Sequence, residues 1–227
     1  PPIGALLTDL ADVRLPFIVF GVMTLLSVFA VLRIEMPEAP RDAEISRDDR
    51  RVLRRLIVDR RVIAAVLVVI SFRYSIGVFE PLWATHLDDL GASTRVIGFS
   101  LTAFALPMMI VAKPAGRMTD RFGARWMSLV PALISAVLMM TYGYTSFLWV
   151  IIMVSGVHGM MEAALSPATQ AGIADVTADQ DAASAQGLAE AAGSAASAVG
   201  AFSAPVVFDI WGAGPAWLMA GCVMVAL

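Results

Sequence analysis

The sequence predicts an all-α fold, a polytopic bundle of membrane helices, and three observations carry that prediction. The mean hydropathy is +0.78, with 59% hydrophobic and 15% charged residues among 227, which excludes an ordinary soluble domain. Runs free of Asp, Glu, Lys and Arg recur at 15–32, 96–112 and 126–161. Each meets the length needed to cross the hydrocarbon core, about 17–25 residues per helix. The basic residues are also unevenly spread: of 16 Lys and Arg, nine lie at 33–61 and three more at 116–125. That asymmetry places both segments on the cytoplasmic side. At about 20 residues per span, the chain has room for about seven or eight membrane helices.

Taken in order, residues 15–32 form one span, preceded by Asp9, Asp12 and Arg14 in a short outer loop. Residues 33–61 are a charged cytoplasmic segment with seven acids among nine arginines, and with Pro37 and Pro40. Within it Ser46-Arg47-Asp48-Asp49 reads as a helix start, Ser46 being the N-cap. Val52, Leu53, Leu56 and Ile57 then repeat at helical spacing against Arg50, Arg51, Arg54 and Arg55. The result is a short amphipathic helix, either a spacer packed on the bundle or a lipid-binding element at an anionic inner surface.

The next span covers 62–83, with Arg73 in its middle and Glu80 seven residues on, along the same face. His86, Asp88 and Asp89 then fall in a solvated outer loop. The following span is 96–114, kinked at Pro107, with Lys113 near the inner surface. The span at 126–142 turns at Gly143-Tyr144-Thr145-Ser146, where Tyr142, Tyr144 and Trp149 suit an interfacial aromatic belt. Residues 147–172 carry His158 and Glu162, with Pro167 bending the inner end. Asp175, Asp179 and Asp181 form an acidic inner loop. The span at 185–208 bears small-residue rows at four-residue spacing, Gly193, Ser197 and Ala201 beside Ser194 and Ala198, made for close helix contact. A last helix begins near Pro215.

Enzyme signatures are absent: no His-Glu-x-x-His, phosphate loop or dinucleotide glycine fingerprint appears. No cofactor and no nucleic-acid partner is expected. The single cysteine, Cys222, excludes an internal disulfide and a cysteine metal cluster, and reads as a packing residue. His158 and Glu162 stand four residues apart, but two ligands do not make a metal site.

The chemistry therefore rests on charges inside apolar runs: Arg73, Glu80, His158, Glu162 and Glu190. A charge at the bilayer centre costs about 2.5–3.5 kcal/mol on insertion scales, so each should face a cavity or a partner. Two roles stay open for each. One is an ion pair tying helices together, such as Arg73 with Glu162 or Glu190. The other is substrate binding or proton coupling, for which Glu162 is the preferred carboxylate.

The loop at 116–125 is more informative than its charge. It reads Gly116-Arg117-Met118-Thr119-Asp120-Arg121-Phe122-Gly123-Ala124-Arg125. Gly-x-x-x-Asp-Arg-x-Gly-x-Arg in this order closely resembles the signature loop of the major facilitator superfamily, in the copy between helices 8 and 9. Pro1-Pro2-Ile3-Gly4-Ala5 is similar to the end of the antiporter motif on helix 5 of that family, although an ordinary Pro/Gly helix end explains it too. The resemblance implies a partial twelve-helix plan. Residues 1–33 would be the tail of helix 5 and helix 6, 34–61 the cytoplasmic linker, and 62–227 the C-terminal six-helix half. Both ends read as cuts in a longer chain, since it opens on Pro-Pro with no signal peptide and stops at Leu227 within an apolar stretch.

What the family implies is secondary active transport by alternating access around a midplane cavity. The helix 5 remnant and the absence of a sugar-transporter signature lean toward proton-coupled drug efflux. A sugar or metabolite symporter, or a non-transporting sensor or scaffold, are the other expectations. Gly116, Asp120, Arg121, Gly123 and Arg125 would form an inner gating latch. The implied partners are the lipid bilayer of the plasma membrane, a small-molecule substrate and protons.

Overall fold

The computed structural model describes residues 14–33 and 47–227, which are helical almost throughout, with no strand among them. The helices are α1 (Arg14–Leu32), α2 (Arg47–Leu56), α3 (Arg60–Asp89), α4 (Thr94–Phe122), α5 (Ala124–Tyr142), α6 (Leu148–Asp175), α7 (Ala182–Trp211) and α8 (Ala213–Ala226), with a 3-10 turn at Asp179–Asp181. Six of these segments, α1, α3 to α6, and α7 with its 3-10 turn, are long and apolar enough to cross a membrane. The chain is a multi-pass membrane protein. The expected outer loop at Asp9 and Asp12, the Pro1–Ala5 motif and the Ser46 cap lie outside the described residues.

The helices overrun the apolar runs that revealed them. The expected outer loop with His86, Asp88 and Asp89 is instead the last turn of α3. His86 is buried there, its Nε2 3.1 Å from the Tyr142 carbonyl oxygen. The signature segment is not an open loop either: α4 stays helical through Phe122 and α5 begins at Ala124. The turn is made by Gly123 alone, at φ 84°, a left-handed backbone that a Cβ disfavours. Hydropathy ends where the lipid ends, whereas a helix ends where its hydrogen bonds stop, and polar residues extend helices freely into water.

At the start of α3, the Asp59 carboxylate accepts the Arg61 backbone N–H at 2.8 Å, so the helix opens on a side-chain cap. From there α3 runs along α7, α4 along α6, and α5 against α6 and α8. Small residues let α3 and α7 approach: a Cβ on Gly77 would meet the Ser197 backbone, and one on Gly200 would lie 2.8 Å from the Tyr74 carbonyl oxygen. The contacting row is thus Gly193, Ser197, Gly200 and Ala204. Ser194, Ala198 and Ala201, from the expected rows, are exposed. The helix turns about 100° per residue, so a four-residue row drifts off the contact face and a three-residue step restores it.

The main core joins α3, α5, α6, α7 and α8 around Val78, Leu82, Trp83, Met139, Trp217 and Phe208. Tyr142 is buried inside it rather than sitting in an interfacial belt, while Tyr144 and Trp149 are exposed. Cys222 is exposed on α8 and does not pack in the core.

α2 is docked on the bundle. Leu56 is buried in a second cluster with Val62, Val69, Ile173, Ala185 and Ala189, and Val52 packs against it. Arg55 pairs with Asp181, whose side chain is only 8% exposed against 61% for the arginine. Asp181 is therefore an anchor for the amphipathic helix. No residue of α1 is buried.

Candidate functional site

Glu162 lies in the middle of α6, one helical turn beyond His158, and both are buried. Apart from Glu162, α6 carries no Asp, Glu, Lys or Arg before Asp175, so no ion on its own helix offsets a charge there. Ser75 of α3, fully buried, donates its hydroxyl to Glu162 Oε1 at 3.2 Å. His158 Nε2 faces the same oxygen at 3.5 Å, a contact too long to count as a formed hydrogen bond, so this buried nitrogen has no bonded partner. The other ring nitrogen, Nδ1, lies 3.1 Å from the Tyr142 hydroxyl on α5. Three helices thus converge on one continuous line of polar atoms: Tyr142, His158, Glu162, Ser75.

Aromatic rings wall this line. The His158 ring meets Phe79 edge-on at 5.6 Å and Phe104 at 5.8 Å. Tyr142 packs against Trp83 at 5.4 Å and Trp217 at 5.0 Å. Trp83 in turn donates its indole N–H to Ser100 Oγ of α4 at 2.8 Å, fixing the α3–α4 contact. α6 and α4 touch closely at Gly159, where a Cβ would run into the Phe104 carbonyl oxygen. The polar line is held by packing on every side, which is the condition for a group whose protonation is to matter.

The other intramembrane charges separate into two kinds. Arg73 pairs with Glu190 of α7, both side chains partly exposed. It does not reach Glu162. Glu80 is exposed on α3 and has no ion-pair partner among the described residues. The gating segment is split: Gly116 is half-buried, and Asp120, Arg121, Gly123 and Arg125 are exposed. Asp120 makes no ion pair among the described residues, and the Arg121 guanidinium sits 5.3 Å from the neighbouring Phe122 ring centre. Arg125 also borders a cleft of about 630 Å³ with Arg61, Val68, Ser128, Thr169 and Asp175, which contains none of the intramembrane candidates. Among the described residues no group of three or more side chains is arranged to hold a metal ion.

The i,i+4 spacing of His158 and Glu162 was legible in the sequence, and the structure brings them together. Ser75 was not singled out, and Tyr142 was read as an interfacial aromatic. Ser75 had one signal, a hydroxyl repeating at four residues with Ser71 on an apolar helix; Tyr142 had none that pointed inward.

Comparison with known proteins agrees with this architecture. Multidrug resistance protein 1 of Bacillus subtilis (strain 168) is 29% identical over 102 residues, which is 45% of this chain and 26% of that protein. Multidrug resistance protein 2 of the same organism is 25% identical over 143 residues, 62% of this chain and 36% of that protein. The chain thus aligns with only about a third or less of the length of these relatives. The sequence model of the Major Facilitator Superfamily matches residues 65–227, from the early turns of α3 to the end of α8. With the match covering well over half of it, the chain belongs to the Major Facilitator Superfamily.

Proposed function

We propose that this chain forms part of a proton-coupled efflux transporter for small, drug-like molecules, in which Glu162 is the proton-coupling carboxylate. The single observation that carries this reading is the set of partners around Glu162. The arginine that would have made it a structural ion pair is engaged by Glu190 instead. What faces Glu162 is a serine hydroxyl and an imidazole, groups that tolerate it with or without a proton. A buried carboxylate without a cation is expensive to keep charged, so it exchanges a proton when the site opens to water. Both similar proteins are named for multidrug resistance, which supports drug-like substrates.

In this reading α3 to α8 act as one half of an alternating-access machine in the plasma membrane. Glu80 and the Arg73–Glu190 pair face the cavity and contact substrate. Gly116, Asp120, Arg121, Gly123 and Arg125 form the inner latch, with the single-residue turn at Gly123 holding α4 and α5 at a fixed angle.

The test is Glu162→Gln in the complete transporter, reconstituted in liposomes. Proton-driven transport should be lost, while substrate binding and substrate–substrate exchange persist. Normal transport with an unchanged pH dependence would make Glu162 a structural residue.

A further inference from the structure

We infer that Tyr142 is a positioning residue for the proton-coupling carboxylate, acting through His158 by deciding which ring nitrogen carries the hydrogen that faces Glu162. This rests on the reading of Glu162 given above. A neutral imidazole has one N–H and one bare nitrogen, and the partner of one nitrogen decides the state of the other. Here the partner of Nδ1 is the Tyr142 hydroxyl at 3.1 Å, and Nε2 faces Glu162 Oε1 at 3.5 Å without a formed hydrogen bond. The ring cannot exchange its nitrogens by turning over, because Phe79, Phe104 and Tyr142 hold it from three sides. Only the hydrogens can move.

Two arrangements of the hydrogens fit the line once Nε2 and Oε1 close from 3.5 Å to hydrogen-bonding distance. With Glu162 ionised, Tyr142 donates to Nδ1, and the hydrogen on Nε2 points at the carboxylate, which Ser75 also serves. With Glu162 protonated, the acid donates to Nε2, and the hydrogen on Nδ1 is donated to the Tyr142 oxygen. A phenol both donates and accepts, so it fits both states; few other side chains of this shape do. The change between them adds one proton. A water-derived proton bonds to Tyr142 Oη, the original phenol hydrogen passes to Nδ1, and the Nε2 hydrogen passes to Glu162 Oε1. The imidazole stays neutral throughout, and the fully buried ring never carries a charge.

The surroundings contain nothing that would override this choice. From α3, Ser75 is in contact with Glu162, Glu80 is exposed, and the buried His86 holds the Tyr142 backbone carbonyl at 3.1 Å rather than its hydroxyl. α4 presents Phe104, an aromatic ring with no titratable group. α5 contributes Tyr142 itself. The charged group of α7 nearest in kind, Glu190, is paired with Arg73. On α6 itself, His158 and Glu162 are the titratable groups within the buried stretch.

The experiment uses the complete transporter in lipid nanodiscs with 15N-labelled histidine, the His158 signal being assigned by its loss in His158→Asn. In the unsubstituted protein His158 should carry its hydrogen on Nε2 above the pH midpoint of transport and on Nδ1 below it. Tyr142→Phe removes only the hydroxyl and keeps the ring contacts with Trp83 and Trp217. In that variant the exchange of nitrogens with pH should disappear. The midpoint of proton-driven transport should also shift, by up to about 0.7 of a pH unit, since the two states lose hydrogen bonds of unequal strength. A purely structural role would lower activity at all pH values without moving the midpoint. The same nitrogen protonated on both sides of the midpoint in the unsubstituted protein overturns the inference without any variant. If Glu162→Gln abolishes coupling while Tyr142→Phe keeps both the exchange and the midpoint, the inference fails and Glu162 stands. If Glu162→Gln couples normally, the underlying reading fails first.

Discussion

Gly77→Ala replaces one hydrogen by a methyl group where α3 crosses α7, and the structure leaves no room for it. The new Cβ would lie 2.7 Å from both the carbonyl carbon and the Cα of Ser197, and nearer still to its carbonyl oxygen. All three are backbone atoms of a helix interior, so no side chain can swing aside. Ordinary carbon contacts sit near 3.5–4.0 Å, so the two helices must part by about 1 Å. That separation also loosens the neighbouring approaches, where Gly200 meets Tyr74 and Gly193 meets Arg73. Overpacking of this kind costs about 1–3 kcal/mol. At about 2 kcal/mol the thermal midpoint should fall by about 4–8 °C for a chain of this size. Gly187→Ala, on α7 with nothing within 4 Å of the added atom, serves as the control. It should gain up to about 1 kcal/mol from helix propensity alone. Both variants are compared by tryptophan fluorescence during heating in detergent. A Gly77→Ala protein as stable as Gly187→Ala would refute the close α3–α7 crossing.

Two further predictions concern the docking of α2 and the orientation of the bundle. Asp181→Asn removes the charged partner of Arg55; because the arginine is largely exposed, the loss is about 1 kcal/mol or less. Limited proteolysis between α2 and α3 should then quicken up to about five-fold, and a rate equal to the parent protein's would show that Leu56 packing alone holds α2. Topology is tested with single cysteines in a Cys222→Ser background. An impermeant thiol reagent applied to intact cells should label Asp88→Cys and spare Arg54→Cys, and the reverse pattern would invert the orientation.

The spans were legible because lipid imposes one requirement, a long uncharged run, that composition alone reveals. Residues 15–32 and 126–142 matched α1 and α5 to within two residues. Ends were less legible, since Asp88, Asp89 and Arg117 to Phe122 are compatible with either water-exposed helix or loop. Faces were the least legible. On a helix apolar all round there is no periodicity to say which side meets protein and which meets lipid. Tyr142 therefore read as an interfacial aromatic, although it turns inward to His158. Arg73 had two possible carboxylates, and only the α3–α7 crossing selects Glu190 over Glu162. His158 and Glu162 were legible as a pair because they share a single helix, where spacing alone fixes proximity.

The docking of α2 has a consequence for how load enters the bundle. Only Ile57, Val58 and Asp59 separate α2 from α3. With Leu56 buried and Arg55 held by Asp181, α2 is fixed to α3 and to the start of α7 at once. A displacement arriving at Arg47 is thus shared between two helices rather than taken up at a three-residue swivel, and breaking the Arg55–Asp181 contact would leave α3 to carry it alone.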